Sequence, residues 1–329
     1  CQAVIRGKYL PSRNRPPPAR LLFREEIKMI DNILCIFPYP SLHISVNKLG
    51  FSIASENSIV LLTKEGKKIY ERKRCFVHST LLLNNYILVK KNNGEYGLYN
   101  YSTDTYKLLT KNQNGIAENT YPILLPDNIH FIDYSFFSPQ KQLFSCNITD
   151  GSIEYLEYSS MSQVISLSYD PLEQVINMID QNTFIKYHYP DFQITDRKAI
   201  NVTEQIVAYY TINHTENIVI KTNFGLASLN VENNSSHFFE NSNIFMETGV
   251  LYRAVISKTQ KYMAVVFSNQ TVIYNLLTGD FFCSYLLKSN WFAEFTSDDN
   301  EILLGTGEYG CCVNISKNDM LKTFDLTNM

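Results

Sequence analysis

Long apolar runs and a surplus of charge are both missing from this chain of 329 residues. Apolar runs such as residues 59–62 and 123–125 are far shorter than the roughly 20 residues that a transmembrane helix needs. The 29 basic residues nearly balance the 32 acidic ones, so the net charge is -3. General binding to nucleic acid or to an anionic membrane relies on excess positive charge. We therefore expect neither nucleic acid nor a membrane as a partner.

Cysteine spacing typical of a metal site or of a disulfide framework is also missing. The seven cysteines are an odd number, and no two of them have C-x-x-C spacing. Cys311 and Cys312 are neighbours in a run typical of a strand, so their side chains should point to opposite faces. We expect reduced thiols in a cytoplasmic protein, and a secreted, disulfide-bonded protein is the alternative.

Motifs for catalysis or cofactor binding are equally sparse. No H-x-H, H-E-x-x-H or G-x-S-x-G pattern occurs. The glycines at 305, 307 and 310 have G-x-G-x-x-G spacing, but they lie between two expected strands, where no helix N-terminus would hold a pyrophosphate. The sequence therefore predicts no enzyme, no catalytic residue, no metal site and no cofactor.

Residues 1–28 differ in composition from the rest of the chain. They contain seven basic and two acidic residues, together with Pro11 and the run Pro16-Pro17-Pro18. Such a segment favours an extended coil and has no apolar core typical of a secretory signal. Met29 lies at the change in composition, so we expect a leader that is disordered or not native, followed by one domain over residues 29–329. A tail whose residues 13–20 dock into an SH3-like groove is the alternative.

Aromatic and turn-forming residues are what the sequence has in abundance. It contains 22 Tyr and 20 Phe but only 13 Gly, and aromatic side chains favour strands. Apolar runs of four to eight residues recur between turn clusters rich in Asn, and none keeps helical spacing over a dozen residues. Closely spaced strands of this kind indicate a sandwich, a barrel or a propeller.

The period of these runs decides among the three architectures. Runs typical of the first strand of a unit begin near His43, Thr80, Tyr121, Val164, Ile206, Leu251 and Trp291. Their spacings of 37, 41, 43, 42, 45 and 40 residues are close to the 40–45 residues typical of a four-stranded propeller blade. We therefore predict an all-β fold, a single seven-bladed β-propeller of four-stranded antiparallel blades, with six or eight blades as the alternatives. A strand near residues 33–37 should close the ring against the last blade, alongside or in place of residues 321–326.

Internal similarity supports the repeat. Gly94-Glu95-Tyr96-Gly97 and Gly307-Glu308-Tyr309-Gly310 occupy the same place in their units, and several third strands end in Asn. Residues 272–279, VIYNLLTG, resemble the end of the third strand of a WD40 repeat, with Tyr-Asn where that family has Trp-Asp. Residues 295–303 are similar to its strand-turn-strand entry, although the Gly-His dipeptide of the family is absent. The chain thus resembles the WD40-like β-propeller superfamily, with degenerate repeats.

This resemblance implies a protein-binding scaffold. In the WD40 arrangement, the loops between blades and the loops joining the second and third strands lie on one face. Aromatic and Arg side chains there are typical of interface hot spots. The candidates for partner binding are Arg74, Phe76, His78, Tyr96, Phe245, Met246, Trp291, Glu308 and Tyr309. The alternatives are that Trp291 packs inward in its strand and that Arg74 and His78 lie in a solvated turn.

We therefore predict a non-catalytic scaffold that binds a protein or peptide partner on this face, as a monomeric ring within a complex. A propeller enzyme or small-ligand binder is the first alternative, because a ring can bring the scattered histidines together in a central channel. A structural module that packs through its blade edges is the second.

Overall fold

The computed structural model describes residues 32–111, 120–136, 141–157, 164–170, 173–212, 215–296, 299–315 and 322–327. Within them, seven sheets surround a central channel, which confirms the predicted seven-bladed β-propeller. The expected leader, residues 1–28, lies outside the described residues. Among the described residues, no helix has the length and apolar character needed to span a bilayer.

The first four blades each contain four antiparallel strands, which follow one another from the channel outward. Blade 1 consists of β2 to β5, His43–Asn47, Gly50–Ala54, Ser58–Leu62 and Lys68–Lys73. Blade 2 consists of β6 to β9, Val77–Leu82, Ile87–Lys91, Glu95–Asn100 and Thr105–Lys111. Blade 3 consists of β10 to β13, Ile123–Leu124, His130–Phe136, Lys141–Asn147 and Ile153–Tyr155. Blade 4 consists of β14 to β17, Ser166–Asp170, Val175–Ile179, Thr183–His188 and Ile194–Ala199.

The last three blades follow the same order, with a short helix before blade 6. Blade 5 consists of β18 to β21, Gln205–Ile212, Thr215–Thr222, Gly225–Asn230 and Ser236–Phe238. The helix α1 spans Ser242–Thr248. Blade 6 consists of β22 to β25, Leu251–Ile256, Tyr262–Phe267, Gln270–Asn275 and Phe281–Leu286. Blade 7 takes β26 to β28 from the C-terminal region, Asn290–Phe295, Glu301–Thr306 and Gly310–Asn314, and its outer strand β1, Ile33–Phe37, from the start of the described chain.

The ring is closed by the pairing of β1 with β28. The two strands are antiparallel, with Cys35 opposite Cys312 and Phe37 opposite Gly310. This confirms the predicted closing strand. The late strand β29, Lys322–Asp325, does not join blade 7; it pairs in parallel with β25 and gives blade 6 a fifth strand.

The apolar core is divided among the junctions between neighbouring blades. Each of the seven core clusters combines side chains from two adjacent blades. Strand β4 illustrates the reason: Ile59 and Leu61 pack toward blade 2, whereas Val60 and Leu62 pack toward blade 7. Successive side chains of a strand point to opposite faces, so a strand between two neighbours must be apolar at every position. The outer strand β5 has no such requirement and is mostly charged.

Asparagine at the end of the third strand fixes the turn into the outer strand. The Oδ1 atom of Asn275 accepts hydrogen bonds from the backbone N–H groups of Leu277 and Thr278, at 2.9 and 3.3 Å. The same arrangement occurs at Asn100, Asn147 and Asn230. An Asn side chain that bonds to the backbone two residues ahead stabilises such a turn. The Asn residues that mark the repeat in the sequence therefore have a structural role.

We predict that Phe37→Ala costs much more stability than Ile36→Ala. Phe37 is fully buried and its ring lies 4.9 Å from that of Phe51 in blade 1, so truncation should lower the free energy of unfolding by about 3–5 kcal/mol. Ile36 is the preceding residue of β1 but is half exposed, and its truncation should cost about 1 kcal/mol or less. Urea unfolding of the two variants measures the difference. Equal losses would contradict the packing of β1 against blade 1.

Candidate functional site

One face of the ring carries most of the predicted binding residues. Antiparallel strands alternate in direction, so the links between blades and the turns joining second and third strands emerge on the same side. We call this side the linker face. Arg74 and Phe76 lie in the link between blades 1 and 2, where both are exposed, Phe76 to 63%. The carboxylate of Glu308, in the turn of blade 7, contacts Lys288 at 2.8 Å.

Tyr96 and Tyr309 do not lie on this face, contrary to the sequence-based expectation. Both are buried, at 0% and 5% exposure. The Tyr96 hydroxyl donates to Asp133 at 3.1 Å, and the Tyr309 hydroxyl donates to the carbonyl of Leu326. Each tyrosine is the residue after the turn glutamate, and the alternation of a strand turns it inward while the glutamate points out. These two tyrosines are therefore core residues and are removed from the candidate site.

Phe245 and Met246 lie on α1, in the long link between blades 5 and 6. Both are partly buried and pack against the core between these blades. The ring of Phe245 is stacked on that of Phe281 with centroids 5.8 Å apart. Their main role is to seat α1 on the ring, and only part of each side chain remains for a partner.

A repeated backbone irregularity shapes the mouth of the channel on the linker face. Near the start of the innermost strand of blades 2, 5, 6 and 7, one residue has no partner on the second strand. These bulged residues are His78, Val207, Tyr252 and Trp291. A bulge redirects its side chain and is common beside functional sites. Four blades therefore present a redirected side chain at equivalent positions.

Two of the bulged residues form an exposed aromatic platform, which we define as Tyr252 and Trp291. Their rings are parallel within 6° and their centroids lie 5.2 Å apart. The side chains are 44% and 46% exposed, and Val250 beside them is 63% exposed. Trp291 thus points outward, whereas the next residue, Phe292, is fully buried. Stacking holds both aromatic rings in one orientation, which lowers the entropy cost of binding to them.

A cluster of side chains crosses the channel just inside this mouth. We call it the channel plug, and it consists of Tyr121, Arg253, His43, His78 and Phe292. Tyr121 precedes β10 of blade 3, and the Arg253 guanidinium from blade 6 lies 4.7 Å from its ring centroid. Blades 3 and 6 are three steps apart in a ring of seven, so this contact spans the channel. The neighbours are His43 at 4.4 Å, His78 at 5.6 Å and Phe292 at 6.3 Å from Tyr121, centroid to centroid.

The two histidines of the plug are uncharged at neutral pH. Burial holds the pKa of His43 well below its ordinary value, and the positive charges of Arg253 and Lys90 lower it further. Burial also lowers the pKa of His78 to about 4, with Lys90 adding to the effect and Asp133 opposing it. The mouth of the channel is therefore a place where additional positive charge is unfavourable.

A buried ion pair anchors the segment that carries Tyr121. The Nζ atom of Lys90 lies 2.9 Å from Oδ2 of Asp133, and both side chains are fully buried. Thr120, next to Tyr121, donates to Oδ1 of Asp133 at 2.6 Å and accepts from Lys90 through its carbonyl at 2.9 Å. Removing one partner of such a pair leaves an uncompensated charge. The plug is thus held rigidly from blades 2 and 3.

The sequence-based candidates did not include Tyr121, Tyr252 and Arg253, which are central to this region. Tyr252 occupies the same position in its blade as Trp291, so alignment of the repeats contained the signal. Arg253 is a charged residue within an innermost strand that is otherwise apolar or aromatic. Tyr121 marked the start of a repeat, but its crossing of the channel depends on the closed ring.

Comparison with known proteins does not assign this chain to a family. No protein-family model matches the chain, and no curated protein matches it significantly. Among the described residues, no group of three or more His, Cys, Asp or Glu side chains is arranged to hold a metal ion. The fold and the linker face are therefore the basis for any functional proposal.

We predict that His78→Phe reduces the loss of stability at acidic pH. The pKa of His78 is about 4 in the folded protein, against about 6.5 in an unfolded chain. Between these values the unfolded state binds the extra proton, so stability falls as the pH falls through this window. Phe keeps a ring against Tyr121 but cannot titrate, and it should recover about 1–2 kcal/mol of the difference in unfolding free energy between pH 7 and pH 5.

Urea unfolding of both proteins at the two pH values measures this difference. An identical loss on acidification would contradict a neutral, buried His78.

Proposed function

We propose that the protein is a non-catalytic scaffold that binds a protein or peptide segment on the linker face. It would act in the cytoplasm as a monomeric ring within a larger complex, in the manner implied by its resemblance to WD40-like propellers. The observation that carries the proposal is the aromatic platform. Tyr252 and Trp291 are stacked, nearly half exposed and redirected outward by bulges in two neighbouring blades.

Several features of the platform suit binding better than stability. Burying an aromatic side chain stabilises a fold, and leaving two of them open to solvent forgoes that gain. Trp and Tyr are also the residues most enriched at interface hot spots, where a few rigid anchors supply most of the affinity. Phe76 adds a third exposed aromatic ring on the same face, in the link that leads into blade 2. A partner that covers these side chains would gain their burial without deforming the ring.

The test is affinity capture from the source cell with a double variant, Phe76→Ala and Trp291→Ala. Loss of a hot spot weakens binding by about 2 kcal/mol or more, or at least thirtyfold, so the partners of the parent protein should be lost. The matched control is Ile129→Ala and Leu277→Ala, two exposed apolar residues in turns on the opposite face. The control variant should keep every partner. A folded Phe76 and Trp291 variant that also keeps every partner would overturn the choice of face.

A further inference from the structure

Arg253 has hydrogen-bonding capacity that the described protein does not use. Its guanidinium lies over Tyr121 at 4.7 Å and Phe292 at 5.7 Å, and about a quarter of the side chain remains exposed at the channel mouth. The nearest carboxylate among the described residues, that of Glu294, forms an ion pair with Nη2 at 3.7 Å, a distance longer than that of a hydrogen bond. The Nη1 atom is buried and has no hydrogen-bond partner among the described residues.

The exposed quarter of the Arg253 side chain gives a ligand access to a guanidinium whose hydrogen-bonding capacity is not fully used. A guanidinium carries five N–H donors in a planar fork that matches a carboxylate. A buried donor without a partner is unfavourable, whereas a charge-assisted hydrogen bond is about twice as strong as a neutral one. Stacking on two aromatic rings already holds Arg253 in place, so little side-chain entropy would be lost on binding. The site is thus organised before a ligand arrives.

The surrounding charges favour a single carboxylate over a phosphate group. Arg253 is the one cation of the plug, since His43 and His78 are uncharged and Lys90 is paired with Asp133. A phosphate group carries nearly two negative charges and is typically bound by a cluster of cations, whereas a carboxylate matches one guanidinium.

We propose that the partner segment inserts a carboxylate into the channel mouth to bind Arg253, while an adjacent apolar side chain of the same segment lies on the aromatic platform. This inference rests on the proposed function and names the chemistry of its ligand. Arg253 directly follows Tyr252 in β22, so the cation and the platform are neighbours in the chain. The carboxylate belongs to an Asp or Glu side chain or to the C-terminus of the partner.

The experiment begins with selection of peptides from a random displayed library on the immobilised full-length protein. Binding of the selected synthetic peptides is then followed by the fluorescence of Trp291, the single Trp of the chain. We expect the peptides to contain Asp or Glu, or a required free C-terminus, beside an apolar residue. Replacing the acid by its amide, or amidating the C-terminus, should weaken binding at least tenfold and so identify the source of the carboxylate.

Variants of the protein separate a ligand-binding Arg253 from a purely structural one. In a folded Arg253→Met variant, peptide affinity should be low and replacement of the acid by its amide should change it less than twofold. Glu294→Gln removes the carboxylate that competes for Arg253 and repels an incoming anion, and it should strengthen binding of the acidic peptide several-fold. A structural role alone predicts neither effect. Glu294→Gln also keeps the test decisive if Arg253→Met does not fold.

The outcomes distinguish this inference from the proposed function. Peptides that need the platform, shown by their loss with Tyr252→Ala, but bind equally well as amides would overturn the carboxylate proposal alone. Tighter binding of synthetic peptides in which phosphoserine replaces the selected Asp or Glu would also overturn it. Failure to select any peptide sensitive to the platform variants would count against both proposals. Acid-dependent binding that Glu294→Gln strengthens would support both.

Discussion

The pairing of β1 with β28 is the interaction on which the whole ring depends. Without it, blade 7 would present the edge of β28 to solvent, and an open sheet edge of apolar residues invites association with other chains. The pairing also seats Phe37 against Phe51, so that blades 7 and 1 share a core cluster like every other pair of neighbours. A strand from near one end of the described chain thus completes the blade built from the other.

Closure also determines what the channel mouth can be. Tyr121 and Arg253 come from blades on opposite sides of the ring. They meet because the closed ring holds these blades at a fixed distance across the channel. The contact crosses the channel just inside the linker face and leaves the Arg253 Nη1 atom without a hydrogen-bond partner among the described residues. The bulges at Tyr252 and Trp291 then place aromatic rings beside it. The aromatic platform is rigid and lies next to the guanidinium of Arg253, and our functional proposals explain this combination.

The fold was predictable from the sequence because its determinants are local. Turn asparagines such as Asn275 and Asn100 mark strand ends, and the predicted starts of the first strands fall within three residues of the observed ones, for example Thr80 against Val77. The site was only partly predictable. Phe76 is exposed in the link before blade 2, whereas Trp291 is exposed because a bulge near the start of β26 redirects its side chain. Tyr96 points inward and its hydroxyl reaches Asp133 in the next blade, a contact that depends on how the blades pack. A bulge changes which side chains of a strand face outward without changing the spacing of the repeats.

The most direct test of a ring closed by β1 is hydrogen exchange measured by mass spectrometry. Peptides covering Ile33–Phe37 and Gly310–Asn314 should both exchange slowly in the parent protein, because their amides bond to each other across nearly 280 residues of sequence. Cys35→Pro, which cannot donate in the ladder, should accelerate exchange in both segments together. Rapid exchange of Ile33–Phe37 in the parent, or protection of Gly310–Asn314 that does not respond to Cys35→Pro, would contradict the closure.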